Sequence, residues 1–132
     1  LERERHASQR IGSSIFFVKS KNSMSTIFIQ GENSDGSSEH KWQISSPEPA
    51  KIIYYNYFNQ NSHDVILNFD GENSCFIIYE FSKDLKSVNC NLEKRGDNTL
   101  GAVFISKDKI CVLDMNREVA VCNLDGSNIK KV

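Results

Sequence analysis

The clearest pattern of apolar and polar positions lies in residues 101–132, GAVFISKDKICVLDMNREVAVCNLDGSNIKKV. Ala102 to Ile105 form a short apolar run that Lys107-Asp108-Lys109 ends, because three consecutive charges are costly to bury. Ile110 to Leu113 form a second run, Asp114-Met115-Asn116-Arg117 a hairpin turn, and Val119 to Cys122 a third run. Asp125-Gly126 then punctuates toward a fourth strand, with Lys130 and Lys131 read as part of that strand or its exit. Four antiparallel strands are what one propeller blade needs.

The same profile recurs upstream. Val65 to Asp70, the break Gly71 to Ser74, and Cys75 to Phe81 repeat the central hairpin at an offset of about 45 residues, the spacing of blade repeats. Ile15 to Val18, a Lys-Ser-Lys-Asn-Ser break and Met24 to Ile29 repeat it again, about 50 residues earlier. The expectation is an all-β, antiparallel propeller fragment of about three four-stranded blades, at residues 6–45, 51–92 and 100–132.

Taken in order, Leu1 to Arg10 reads as a solvated connector with alternating charges, and its start without methionine suggests a chain cut from a longer one. Ile15 to Lys19 and Met24 to Gln30 are predicted strands, Gly31 to Glu39 a loop, and His40 to Ile44 an outer strand whose one large apolar group, Trp42, is expected to pack in the core. Pro47 and Pro49 bar further pairing and mark a boundary. Ile52 to Phe58, rich in β-branched and aromatic residues, is predicted as an inner strand, Leu85 to Leu92 as a weakly apolar outer strand, and Glu93 to Asn98 as a charged passage.

Composition narrows the function. The chain has 132 residues, with 16 basic and 17 acidic side chains well mixed and a net charge of −1, so it carries no electrostatic footprint for nucleic acid. The aromatic row at 52–58 has only Lys51 beside it, whereas single-strand binders interleave aromatics with a basic groove. No apolar run reaches membrane-spanning length, no leader pattern opens the chain, and there is no Asn-x-Ser/Thr acceptor. With four cysteines set in or beside apolar strands, a reducing cytosolic setting fits best.

Candidate chemistry is sparse. His6, His40 and His63 are dispersed, and Cys75, Cys90, Cys111 and Cys122 form no Cys-x-x-Cys pair, so no metal site is expected. Cys111 and Cys122 face each other only across a two-residue turn; a three-residue loop sets Cys111 opposite Val121. Asp70 and Asp114 each end the second strand of a unit and are read as turn caps, not as an acid/base pair. Phe104, Val112, Leu113, Val119 and Val121 are expected in the core of the last unit. No catalytic, cofactor-binding or metal-binding residue is assigned, and no cofactor or enzymatic activity is expected. A small closed β-barrel holding an apolar ligand ranks last, because the strands group in fours.

The chain resembles the coatomer α-subunit family, WD40-repeat components of the COPI vesicle coat. The resemblance rests on Leu1-Glu2-Arg3-Glu4-Arg5, on Gly101-Ala102-Val103-Phe104-Ile105, on Val112-Leu113-Asp114, and on Asn123-Leu124 with Ile129-Lys130-Lys131-Val132, in the family's order. Scattered positions between them, among them Tyr55, Asn56, Val65-Ile66-Leu67, Tyr79 and Ser82-Lys83-Asp84, extend it. There is no Trp-Asp dipeptide and no Gly-His pair, so the usual WD40 polar tetrad is not assigned. The resemblance implies a WD40-like segment of the family's second β-propeller, acting in Golgi-to-ER retrograde and intra-Golgi transport. Its implied partners are the other coatomer subunits, without nucleic acid or membrane insertion, in the cytoplasm and peripherally on Golgi membranes and COPI-coated vesicles. Cargo recognition in the family belongs to the first propeller, so no binding residue carries over. The alternative is a WD40-like interaction adaptor unrelated to coats.

Overall fold

The computed structural model describes residues 4–11, 14–21, 24–30, 38–45, 50–69, 74–83, 87–94 and 99–132, and side chains from Tyr54 onward. Every regular element in them is a β-strand. The strands are β1 (Glu4–Ile11), β2 (Ser14–Lys21), β3 (Met24–Gln30), β4 (Ser38–Ser45), β5 (Ala50–Tyr55), β6 (His63–Phe69), β7 (Cys75–Phe81), β8 (Val88–Lys94), β9 (Thr99–Phe104), β10 (Lys109–Asp114), β11 (Val119–Asn123) and β12 (Lys130–Lys131). They partition into three four-stranded antiparallel sheets of consecutive neighbours: β1 to β4, β5 to β8 and β9 to β12. The third reading, one closed barrel, needs a continuous ring of paired strands. The described residues instead form three separate sheets.

Register explains the uneven hydrophobic pattern. In the middle sheet Ile66 pairs with Ile78, and Ile78 with Leu92, so these side chains share one face. That face packs on the last sheet, where Ile66, Phe76 and Ile78 form a core with Ala102, Ile110 and Cys122, flanked by Leu92, Phe104, Val112 and Leu124. On the opposite face Val65 pairs with Tyr79, Leu67 with Ile77 and Phe69 with Cys75, and all six are buried as well. The first sheet approaches the middle one at β5, which lies beside β1 and β2. A sheet covered on both faces has no solvent side, so β6 and β7 read as nearly unbroken apolar runs. Among the described residues the last sheet is packed on one face only, and in β10 the inward Ile110 is buried while the outward Leu113 is exposed.

Several expectations need correction. Within the stretch Leu1 to Arg10, read as a connector, Glu4 onward belongs to β1, which pairs along its whole length with β2; the ladder is made by backbone groups, which a polar sequence supplies as well as an apolar one. The inner strand read at Ile52 to Phe58 stops at Tyr55, and Tyr57 and Phe58 stand exposed in the loop that follows. The charged passage from Glu93 starts later, because Glu93 and Lys94 still belong to β8. Of the five residues expected in the last core, Phe104 and Val112 pack there. Leu113, Val119 and Val121 lie on the other face, since Leu113 pairs with Val119, and Val121 with Cys111; Leu113 is 38% exposed. The period of two sends neighbouring residues to opposite faces, so one strand could not place both Val112 and Leu113 in one core. Pro47, Pro49 and Asp70 lie outside the described residues.

The β10–β11 register sets Cys111 opposite Val121, the three-residue-loop alternative. Arg117 N–H donates to the Asp114 carbonyl and Asp114 N–H to the Glu118 carbonyl, with Arg117 at φ 62°. The β11–β12 turn repeats this plan: Gly126 N–H donates to the Asn123 carbonyl, Asn123 N–H to the Ser127 carbonyl, and Gly126 has φ 87°. Both are β-turns closed by a residue in the left-handed region, a favoured three-residue hairpin loop. Glycine suits the second loop twice over, because a Cβ at Gly126 would also stand 3.2 Å from Leu92 Cδ1. Arg117 carries the steric cost that Gly126 avoids. Arg117→Gly should therefore raise stability by about 0.5–1 kcal/mol in urea melts, after the extra flexibility of glycine in the unfolded chain is counted. A loss of stability would show that the arginine side chain outweighs its backbone strain.

Candidate interaction site

Polar side chains hold the last sheet to the middle one, and they occupy one line. β9 is the edge strand of its sheet, so every second residue turns its N–H and C=O away from β10. Asn68, buried among apolar neighbours on β6, meets that edge with its carboxamide: Ala102 N–H donates to Asn68 Oδ1 at 3.0 Å, and Asn68 Nδ2 donates to the Ala102 carbonyl at 3.3 Å. A side-chain amide here stands in for a paired strand. The approach is close because residue 101 is glycine; a Cβ there would lie 3.3 Å from Asn68 Oδ1. At one end Ser74 Oγ donates to the Thr99 carbonyl at 2.8 Å, and at the other Asn56 Nδ2 donates to the Lys107 carbonyl at 3.0 Å.

Asn56 belongs to a second polar node. The loop from Asn56 to Asp64 is closed by Asn56 N–H donating to the Asp64 carbonyl. The Asp64 carboxylate is fully buried and accepts from Asn56 Nδ2 (3.2 Å), Asn59 Nδ2 (2.9 Å) and Ser62 Oγ (3.0 Å). A buried carboxylate is tolerable when such donors replace water. His63 Nδ1 lies 2.8 Å from the Tyr55 hydroxyl. Burial first, then the Asp64 charge and Tyr57, push the Tyr55 phenol above its ordinary pKa, so it stays protonated. The node fixes a loop.

The remaining candidates are structural where they are described. Asp114 caps its turn as expected, accepting the Glu118 N–H at 2.8 Å. None of the four cysteines is in a disulfide among the described residues, Cys75 and Cys122 are buried, and burial pushes the Cys122 thiol upward. His6, His40 and Trp42 stand in β1 and β4, whose side chains lie outside the described residues. Among the described residues no three His, Cys, Asp or Glu side chains gather as metal ligands, and no helix is long and apolar enough to cross a membrane.

What the geometry does offer is contact surface. The outward face of the last sheet carries Val103, Cys111, Leu113, Val119 and Val121, with Val103 and Leu113 more than a third exposed. Tyr57 and Phe58 add an aromatic pair on the 56–62 loop, at 63% and 56% exposure. These residues leave apolar side chains at the surface of the last sheet and of the 56–62 loop. The signals missed in the sequence were Asp64 and Asn68, polar residues inside the apolar run of β6 that a strand buried on both faces would exclude without a partner.

No family model matches the chain, and no solved structure matches it. It is 30% identical over 133 residues to the coatomer subunit alpha of Dictyostelium discoideum, an alignment that covers 99% of this chain and 10% of that protein. The chain thus spans about a tenth of the length of that relative. The likeness is end to end for this chain and supports a distant relationship of the WD40 kind.

Proposed function

We propose that the chain is a structural, non-enzymatic segment of a coatomer-type vesicle coat subunit, working through protein–protein contacts. The observation that carries this reading is the alignment over nearly the whole chain to a coatomer subunit alpha. In this reading the three sheets, Glu4–Ser45, Ala50–Lys94 and Thr99–Lys131, are successive blades of a WD40-like β-propeller. Three features support it: consecutive four-stranded meanders, a middle sheet buried on both faces, and an outward apolar face on the last sheet of the kind a neighbouring blade covers. The partners are the other coatomer subunits, and the setting is the cytoplasm and, peripherally, Golgi membranes and COPI-coated vesicles, in Golgi-to-ER retrograde and intra-Golgi transport. Catalysis, a cofactor and nucleic-acid binding form no part of it.

The intact protein, tagged at its own locus, should sediment in one heavy complex with the other coatomer subunits in stoichiometric amounts. Sedimentation free of them, in a complex with unrelated proteins, would replace this reading with that of a WD40-like adaptor outside the coat.

A further inference from the structure

The β11–β12 loop holds an aspartate directly before a glycine, Asp125-Gly126, and the left-handed backbone and the Leu92 contact at residue 126 require that glycine. An Asp-Gly pair is chemically exposed, because no Cβ on the second residue screens its amide from the carboxyl carbon of the first. The Gly126 N can bond to Asp125 Cγ and close a succinimide, as the amide proton and the hydroxyl of the protonated carboxyl leave together as water. Water then opens either carbonyl of the ring. One opening restores aspartate; the other leaves isoaspartate, whose main chain runs through Cβ, with the mass unchanged and nothing oxidised or reduced.

Both reacting groups are restrained in this loop. Gly126 N–H donates to the Asn123 carbonyl at 2.9 Å. Asp125 Oδ1 accepts from Ser127 N–H at 2.9 Å and from Ser127 Oγ at 2.6 Å. The hydroxyl is itself aimed: Lys109 Nζ donates to Asn123 Oδ1 at 2.9 Å, and Asn123 Nδ2 donates to Ser127 Oγ at 3.0 Å, which leaves the serine proton for Asp125. The Ser127 hydroxyl first, and its backbone N–H second, hold the Asp125 carboxyl below its ordinary pKa, in the ionised form that has no hydroxyl to lose. From this arrangement we infer that Asp125-Gly126 is a site of isoaspartate formation that the Lys109–Asn123–Ser127 relay holds shut, and that its modification releases β12. The extra main-chain atom falls inside a loop closed by Asn123 N–H donating to the Ser127 carbonyl at 2.9 Å. The Ala120–Lys131 and Val121–Lys130 pairs then lose their register, the Lys131–Glu118 ion pair goes with them, and β11 becomes the edge of its sheet.

Ageing the folded, intact protein for weeks in heavy-oxygen water tests this, because every passage through the imide leaves a heavy oxygen on residue 125 and electron-transfer fragmentation separates aspartate from isoaspartate. Residues 118–130 as a free peptide give the unguarded rate. Wild-type protein should react more slowly than the peptide, and Ser127→Ala should speed the folded protein about three- to tenfold, the worth of one exposed hydrogen bond. Ser127→Thr, which keeps the hydroxyl, should behave as wild type, and the peptide should be indifferent to Ser127→Ala. Hydrogen exchange separates the guard from mere loosening: the Val132 amide, which donates to the Val119 carbonyl, should stay protected in unaged Ser127→Ala and lose protection in the isoaspartate form. Wild-type protein as fast as the peptide, Ser127→Ala no faster than wild type, equal acceleration in the peptide, or acceleration only with loss of Val132 protection before ageing would each overturn the guard. An isoaspartate form with its Val132 amide still protected would overturn the release of β12.

Discussion

Replacing Asn68 with Ala should lower stability by about 2–5 kcal/mol, because it leaves the N–H and C=O of Ala102 buried at a sheet edge with no partner. Neither group is served by β10, since Ala102 and Val112 form the pair whose hydrogen bonds point away from each other. Asn68→Asp separates this account from a simple loss of packing. One carboxylate oxygen can still accept the Ala102 N–H, but the other takes the place of Nδ2 and faces the Ala102 carbonyl oxygen. Only the protonated acid can donate there, so the folded state raises that carboxyl above the unfolded value of about 3.9. A folded-state pKa that is raised gives stability present below the unfolded pKa and lost as pH rises through the folded one. Urea melts should therefore find the Asp variant closest to wild type in acid and weakest at neutral pH, whereas the deficit of the Ala variant should change little between them. A parallel pH response of the two variants would remove the amide clamp as the cause.

Much of this architecture could be read from residue pattern, and the parts that could not have a common cause. The run Cys75 to Phe81 is bounded by polar residues and matches β7 at both ends, and Met24 to Gln30 does the same for β3. Where apolar residues carry a strand, periodicity finds it. The strand at Glu4–Ile11 has one Ala and one terminal Ile among polar residues; its evidence is backbone pairing with β2, which leaves no mark on side-chain chemistry. Face assignment failed for a related reason. Val112 and Leu113 are equally apolar, and only the packing of the middle sheet against one face of the last sheet separates them. The polar line along β9 depends on residues 25 to 51 positions apart, so Asn56, Asn68 and Ser74 could be seen as anomalies but not matched to their carbonyls.

Asp64→Ala should cost about 2–4 kcal/mol, and the way the loss couples to Asn56 is the sharper test. The carboxylate accepts from three side chains that hold the 56–64 loop, yet its removal also spares the protein the burial of a charge, so the net effect is smaller than three charged hydrogen bonds. Asn56 Nδ2 has two protons, one for Asp64 and one for the Lys107 carbonyl across the sheet interface. If the carboxylate orients the amide that reaches Lys107, then Asn56→Ala loses part of its effect once Asp64 is gone, and the double variant should be about 0.5–3 kcal/mol more stable than the sum of the single ones. The same coupling should appear in hydrogen exchange. The amides of Ile105 and Ser106 both donate to the Lys109 carbonyl in the loop that Lys107 belongs to, and Asp64→Ala should speed their exchange while leaving the Asp114–Glu118 turn unchanged. Additive losses, with the Ile105 and Ser106 amides as protected as in wild type, would mean that the Asp64 node steadies only its own loop and transmits nothing to the last sheet.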